Sequence, residues 1–128
     1  MASVLQTLID GPRNLVVKAY GTGAVTAETI VDVSTYVPAC TKVRIMKVTW
    51  RSDATLLGGI LLWDATADVV AMNCAAGGET LDFTGFGGLV NNAGAGVTGD
   101  IQLTTTGTGS YTLILEMVKA GVIDLDNY

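Results

Sequence analysis

The sequence predicts an all-β chain: a single antiparallel β-sandwich of about eight strands, jelly-roll-like, with short N- and C-terminal arms. Three observations carry that prediction. Several short segments alternate apolar and polar residues with a period of two, glycine- or aspartate-rich turns separate them at short intervals, and no credible helix interrupts the series. At 128 residues the chain has the length of one domain with one core.

In order, residues 1–12 stand apart as an N-terminal arm or short helix, because Val4, Leu5, Leu8 and Ile9 fall at helical spacing before Gly11-Pro12. From Arg13 the period changes to two. Residues 14–20 (NLVVKAY) read as a strand with Leu15, Val17 and Ala19 on one face, and 29–33 (TIVDV) as the next. Residues 41–52 (TKVRIMKVTWRS) form the clearest strand, yet its apolar phase slips by one between Ile45 and Met46. One extra residue there predicts a β-bulge.

Further strands are expected at 59–63, 69–74, 80–83, 100–106 and 111–119, joined by turns such as 64–68, Gly77-Gly78 and 107–109. The 111–119 strand (YTLILEMVK) is apolar on both faces, which predicts a central position or an outer face covered by a partner. Residues 13–119 thus make the sandwich domain, and 120–128 form a C-terminal tail, either an edge strand or a second arm.

Composition excludes more chemistry than it suggests. There is no histidine, so imidazole bases, His metal sites and Ser-His or Cys-His nucleophiles are all removed. Cys40 and Cys74 belong to no CxxC pair and are expected as buried free thiols. Asp64 and Asp68 flank a turn, where carboxylates accept backbone N–H groups. No calcium-loop spacing is present, and the expectation is no cofactor, no metal and no enzymatic activity.

The formal charge is -5, the sequence pI is about 4.3, and four of the seven cations, Lys42, Arg44, Lys47 and Arg51, lie on one predicted strand. An acidic chain without an extended basic surface is not expected to bind nucleic acid, so those cations read as a solvated strand face or ion pairs. No apolar run is long enough for a membrane-spanning helix, and the first residues lack the basic leader of a secretory signal. At 49% hydrophobic and 15% charged residues, with a mean hydropathy of +0.47, the chain is apolar enough to expect either a surface covered by neighbouring subunits or a count raised by alanine and by strands buried on both faces. Trp50 and Trp63 fall on apolar phases and are expected in the core or an interface.

One stretch imitates catalytic machinery. Gly94, Gly96 and Gly99 satisfy G-x-G-x-x-G, the spacing that wraps backbone around a dinucleotide pyrophosphate. That chemistry needs a helix starting within the motif, whereas Asp100 to Thr106 (DIQLTTT) alternates like a strand, so nucleotide binding is not expected. The glycine-rich run instead reads as a long connection between sheets, with residues 91–100 as a contact loop.

The segments LWDAT (62–66), LDF-x-x-FGG (81–88), NNAGAGVTGDI (91–101), LTTTG (103–107) and YTLILEM (111–117), with NLVVKA (14–19), resemble small β-rich structural proteins of tailed bacteriophages. The resemblance spans most of residues 13–119. It implies a non-enzymatic capsid decoration (cement) protein of the virion, made in the bacterial host cytoplasm. Its partners would be the major capsid protein or another virion protein, with a homo-oligomer, a trimer by preference, and neither nucleic acid nor membrane. A glycan- or host-surface-binding module of a phage tail or head fibre is the alternative. The residues expected to make partner contacts are Val4, Leu5, Leu8 and Ile9 in the N-terminal segment, Asn91, Asn92, Val97 and Asp100 in the loop, and Val122, Ile123 and Leu125 in the tail.

Overall fold

In a computed structural model, residues 3–36, 40–53, 56–75 and 77–122 are described, and their regular structure is almost entirely β-strand. Among the described residues nine strands follow one another: β1 (Val4–Asp10), β2 (Asn14–Thr22), β3 (Val25–Val31), β4 (Cys40–Ser52), β5 (Leu56–Trp63), β6 (Val69–Ala75), β7 (Gly78–Asp82), β8 (Ile101–Gly107) and β9 (Ser110–Val122). Two short 3-10 turns, Val33–Thr35 and Thr84–Phe86, lie between them.

The winding from β2 to β9 is that of a long hairpin rolled up. β2 pairs β9, β3 pairs β8, β4 pairs β7 and β5 pairs β6, all antiparallel. Joining β9 to β4 and β8 to β5 then closes a five-stranded sheet, β1-β2-β9-β4-β7, against a four-stranded one, β3-β8-β5-β6. This is the expected jelly-roll sandwich. It differs at the N-terminus: Val4–Asp10 is neither a detached arm nor a helix, but an edge strand paired with β2. Seven residues cannot sustain a free helix, whereas an existing sheet edge satisfies one row of their backbone groups. The tail also differs, since β9 continues through residues 120–122.

Alternation decides what is buried. Leu15, Val17 and Ala19 of β2, Leu113, Leu115 and Met117 of β9, and Val43, Ile45, Val48 and Trp50 of β4 point inward and are buried. They meet Leu61 and Trp63 of β5 and Ile101 and Leu103 of β8 from the opposite sheet. The two tryptophans are fully buried core residues, as their phase predicted. Trp50 stacks on Tyr111 with ring centroids 5.8 Å apart and reaches across to Gly59, where a Cβ would stand 2.7 Å from the indole. A side chain on that strand position would collide with the largest core group. Both cysteines are buried free thiols, and burial pushes Cys74 up to about 12.

The bulge falls where the phase slip placed it. The β4–β9 register shifts between Ile45 and Lys47, leaving Met46 as the extra residue. Val43 and Ile45 before it and Val48 and Trp50 after it can therefore all face the core.

Among the described residues, one buried inward position carries a charge. Lys119 lies opposite Val43 on the core side of β9, and its ammonium, fully buried, donates to Asp10 Oδ1 at 2.6 Å. Removing one partner of a buried pair leaves the other charge without its counter-ion. Asp10→Ala is expected to lower the urea-unfolding free energy by about 3 kcal/mol, the low end for broken buried pairs because Asp10 is partly solvated; Asp10→Leu with Lys119→Met should recover most of it.

Candidate functional site

The glycine-rich run closes one end of the sandwich. Leu89 is held on β4 by reciprocal backbone bonds with Ile45, at 3.1 and 2.8 Å. Asn91 Oδ1 accepts from the Ala93 amide at 3.0 Å, a short local turn. Farther on, the loop is stitched to the β5–β6 turn: Thr66 N–H donates to Ala95 O, Thr98 N–H to Asp64 O, and Thr98 Oγ1 to Asp64 Oδ2. Asp100 Oδ1 accepts from the Val33 amide at 3.0 Å, which ties the loop to the turn after β3.

Two of the three motif glycines are needed for this seating. Gly96 and Gly99 have φ of +77° and +88°, and a Cβ at either would collide, with Thr66 and with the Thr41 carbonyl respectively. The chain then enters β8 directly, so no helix N-terminus faces the glycines. The motif is loop geometry. It is also a tighter connection than its composition implies, because its hydrogen bonds to three neighbouring segments fix it in place.

Beneath the loop lies a cleft of about 620 Å3 lined by Val33, Ser34, Cys40, Thr41, Asn91 and Val97, among others. Its chemistry is sparse. Cys40 is 2% exposed and burial pushes its thiol up, which works against a thiolate nucleophile. Asn91 Nδ2 is buried without a hydrogen-bond partner among the described residues. No group of three or more Cys, Asp or Glu side chains able to hold a metal ion occurs among the described residues.

Asp100 has the most altered environment here. Burial raises its carboxyl first, the Val33 amide opposes this, and the charges of Asp32 and Asp64 raise it further. Together with Asp68, whose Oδ1 caps the Ala65 amide at 3.0 Å, these carboxylates crowd one end of the four-stranded sheet.

The expected contact residues fall in separate places. Val4, Leu5, Leu8 and Ile9 lie along β1 at the sheet edge and are 47%, 46%, 50% and 52% exposed, although the surrounding sheet is well packed. Asn92 and Val97 are exposed on the loop, whereas Asn91 and Asp100 are engaged in holding it. Val122 closes β9 opposite Cys40, at the cleft end of the sandwich. Ile123 and Leu125 lie outside the described residues. Sequence reasoning missed the Lys119–Asp10 pair; the signal available was a lysine in phase with Tyr111, Leu113, Leu115 and Met117.

The fold and these surfaces define a β-sandwich protein with a jelly-roll winding. No family model matches the chain, and no curated protein matches it. Among solved structures it is similar to a cupin domain from Bordetella pertussis Tohama I, at 14% identity and a TM-score of 0.39 over 93% of this chain and 95% of that one. The virion reading is corrected here, since none of the comparisons leads to a phage protein. The capsid decoration function and its fibre-module alternative are both withdrawn. The segments that suggested them lie in strands, turns and the glycine-rich loop of the sandwich.

Asp100 gives a pH dependence. Its folded-state value lies above the unfolded one, so its contribution to stability is present below the unfolded value and is lost as pH rises through the folded value. Asp100→Asn keeps an oxygen for the Val33 amide and removes the charge. It should raise the unfolding free energy at pH 7 by under about 1 kcal/mol, with the gain vanishing below about pH 4 in melts followed by circular dichroism.

Proposed function

We propose that the chain is a non-catalytic assembly module that self-associates by pairing β1 with β1 of a second copy. The observation that carries this reading is the edge itself. Among the described residues β1 pairs with β2 on one side only, all seven of its residues are exposed, and four of them are Val4, Leu5, Leu8 and Ile9. An unpaired row of N–H and C=O groups on an aliphatic strand is a template for another strand. Protected edges usually carry lysine or proline; β1 has no charge before Asp10. The absence of any histidine and the burial of Lys119 and both thiols support the non-catalytic part of the reading.

Antiparallel pairing of the same strand is self-complementary, so the association closes as a two-fold dimer. The proposed symmetry is therefore two-fold, not the three-fold that the resemblance implies. Leu8 is the extra residue where the β1–β2 register shifts, and Ile9 lies on the outer side beside Val16, so both accept charge without entering the core. Sedimentation velocity at about 100 μM should find a dimer for the wild type and a monomer of unchanged melting temperature for Leu8→Lys/Ile9→Lys. A monomeric wild type would overturn the reading.

A further inference from the structure

Charge is sorted by surface in this protein. The outer face of the five-stranded sheet carries Lys18 on β2 and Lys42, Arg44, Lys47 and Arg51 on β4, as the register with outward Ala120, Val118, Glu116 and Thr112 of β9 requires. Against these five cations the same face holds, among the described residues, two carboxylates, Glu116 and Asp82, paired in register on either side of Lys47. The other eight described carboxylates, with two cations, lie elsewhere in a chain whose net charge is -5. Lys18, Lys42, Arg44 and Arg51 form no ion pair among the described residues.

Four carboxylates gather at the loop end. Asp32, Asp64, Asp68 and Asp100 stand where β3 and β5 end and β6 and β8 begin, and Asp32 and Asp64 are near enough for Asp100 to feel their charge. Each is already oriented by a hydrogen bond, from Ser34, Thr98, Ala65 and Val33 respectively. Carboxylates held in this way lose little freedom on docking.

We infer that the basic outer face of the five-stranded sheet is a docking surface for the acidic loop end of a second copy of this chain. The contact is head-to-tail, distinct from β1 pairing, and goes beyond it. A carboxylate-bearing protein surface fits better than a nucleic acid for two reasons. The whole-chain charge repels a polyanion at long range, and Glu116 and Asp82 interrupt the cations where a phosphate track would need them continuous. Arg44 and Arg51 present planar forks suited to carboxylates.

The test uses the Leu8→Lys/Ile9→Lys background, so that β1 pairing is absent and the failure of either idea is seen separately. Sedimentation velocity should detect association that weakens by about tenfold between 50 and 300 mM salt. Arg44→Glu/Arg51→Glu should lose it, as should Asp32→Lys/Asp68→Lys, and an equimolar mixture of the two should associate again. Association unaffected by salt and by Arg44→Glu/Arg51→Glu overturns the inference. So does a mixture that stays monomeric although both variants melt like their parent. If the acidic-end variant does not fold, the salt titration and the Arg44→Glu/Arg51→Glu result decide alone. Binding of a labelled single-stranded oligonucleotide to the wild-type face, tighter than binding of a second copy, would overturn it in favour of a polyanion.

Discussion

β9 is held on both sides, by β2 and by β4, and that double pairing fixes the five-stranded sheet on which every surface of interest depends. Its register with β2 sets where β1 can attach, and its register with β4 sets which side chains of β4 leave the core. A slip of one residue on either side would exchange inner and outer faces. The inner residues, Tyr111, Leu113, Leu115 and Met117, are what oppose such a slip, because each would have to leave the core together.

The bulge at Met46 follows from the same constraint. Without the extra residue, Lys42 and Arg44 would share a face with Val48 and Trp50 and would enter the core with them. With it, the cations of both halves of β4 face outward and join Lys18 from β2 in one basic surface. Lys119 is the exception that shows the cost: a lysine left on the inner phase is kept by placing Asp10 of the edge strand against it. β1 is thereby tied into the fold through Asp10 at one end and, at the other, through Ser3, whose amide donates to the Glu28 carboxylate at 2.9 and 2.8 Å and whose hydroxyl meets Tyr111.

Much of this was legible in the sequence because it depends on a period of two. The strands β2, β4, β8 and β9, the phase slip at Met46, the inward tryptophans and the free thiols could all be read from alternation. β1 could not, since VLQTLID satisfies helical spacing as well as strand pairing, and only the open edge of β2 decides between them. The loop was read as a contact segment, but not as a fixed one: the bonds that hold it come from Asp64, Thr66 and Val33, far away in sequence. The buried ion pair joins residues 109 positions apart, and no local pattern reports it. The function was the least legible part, because glycine turns and two-faced strands are shared by sandwiches of every kind.

The two proposed contacts are compatible because of where the cations stand. Antiparallel pairing of β1 with its copy would run two five-stranded sheets on as one, with both basic faces on the same side. β4 lies three strands in from the β1 edge. At about 4.8 Å per strand the two rows of β4 cations would be roughly 34 Å apart, several Debye lengths at 0.1 M salt, so their mutual repulsion hardly opposes the pairing. The face-to-end contact works at touching distance, where opposite charges are least screened. Edge pairing is thus governed by backbone hydrogen bonds and aliphatic burial, and face docking by charge, so ionic strength acts on one and leaves the other in place.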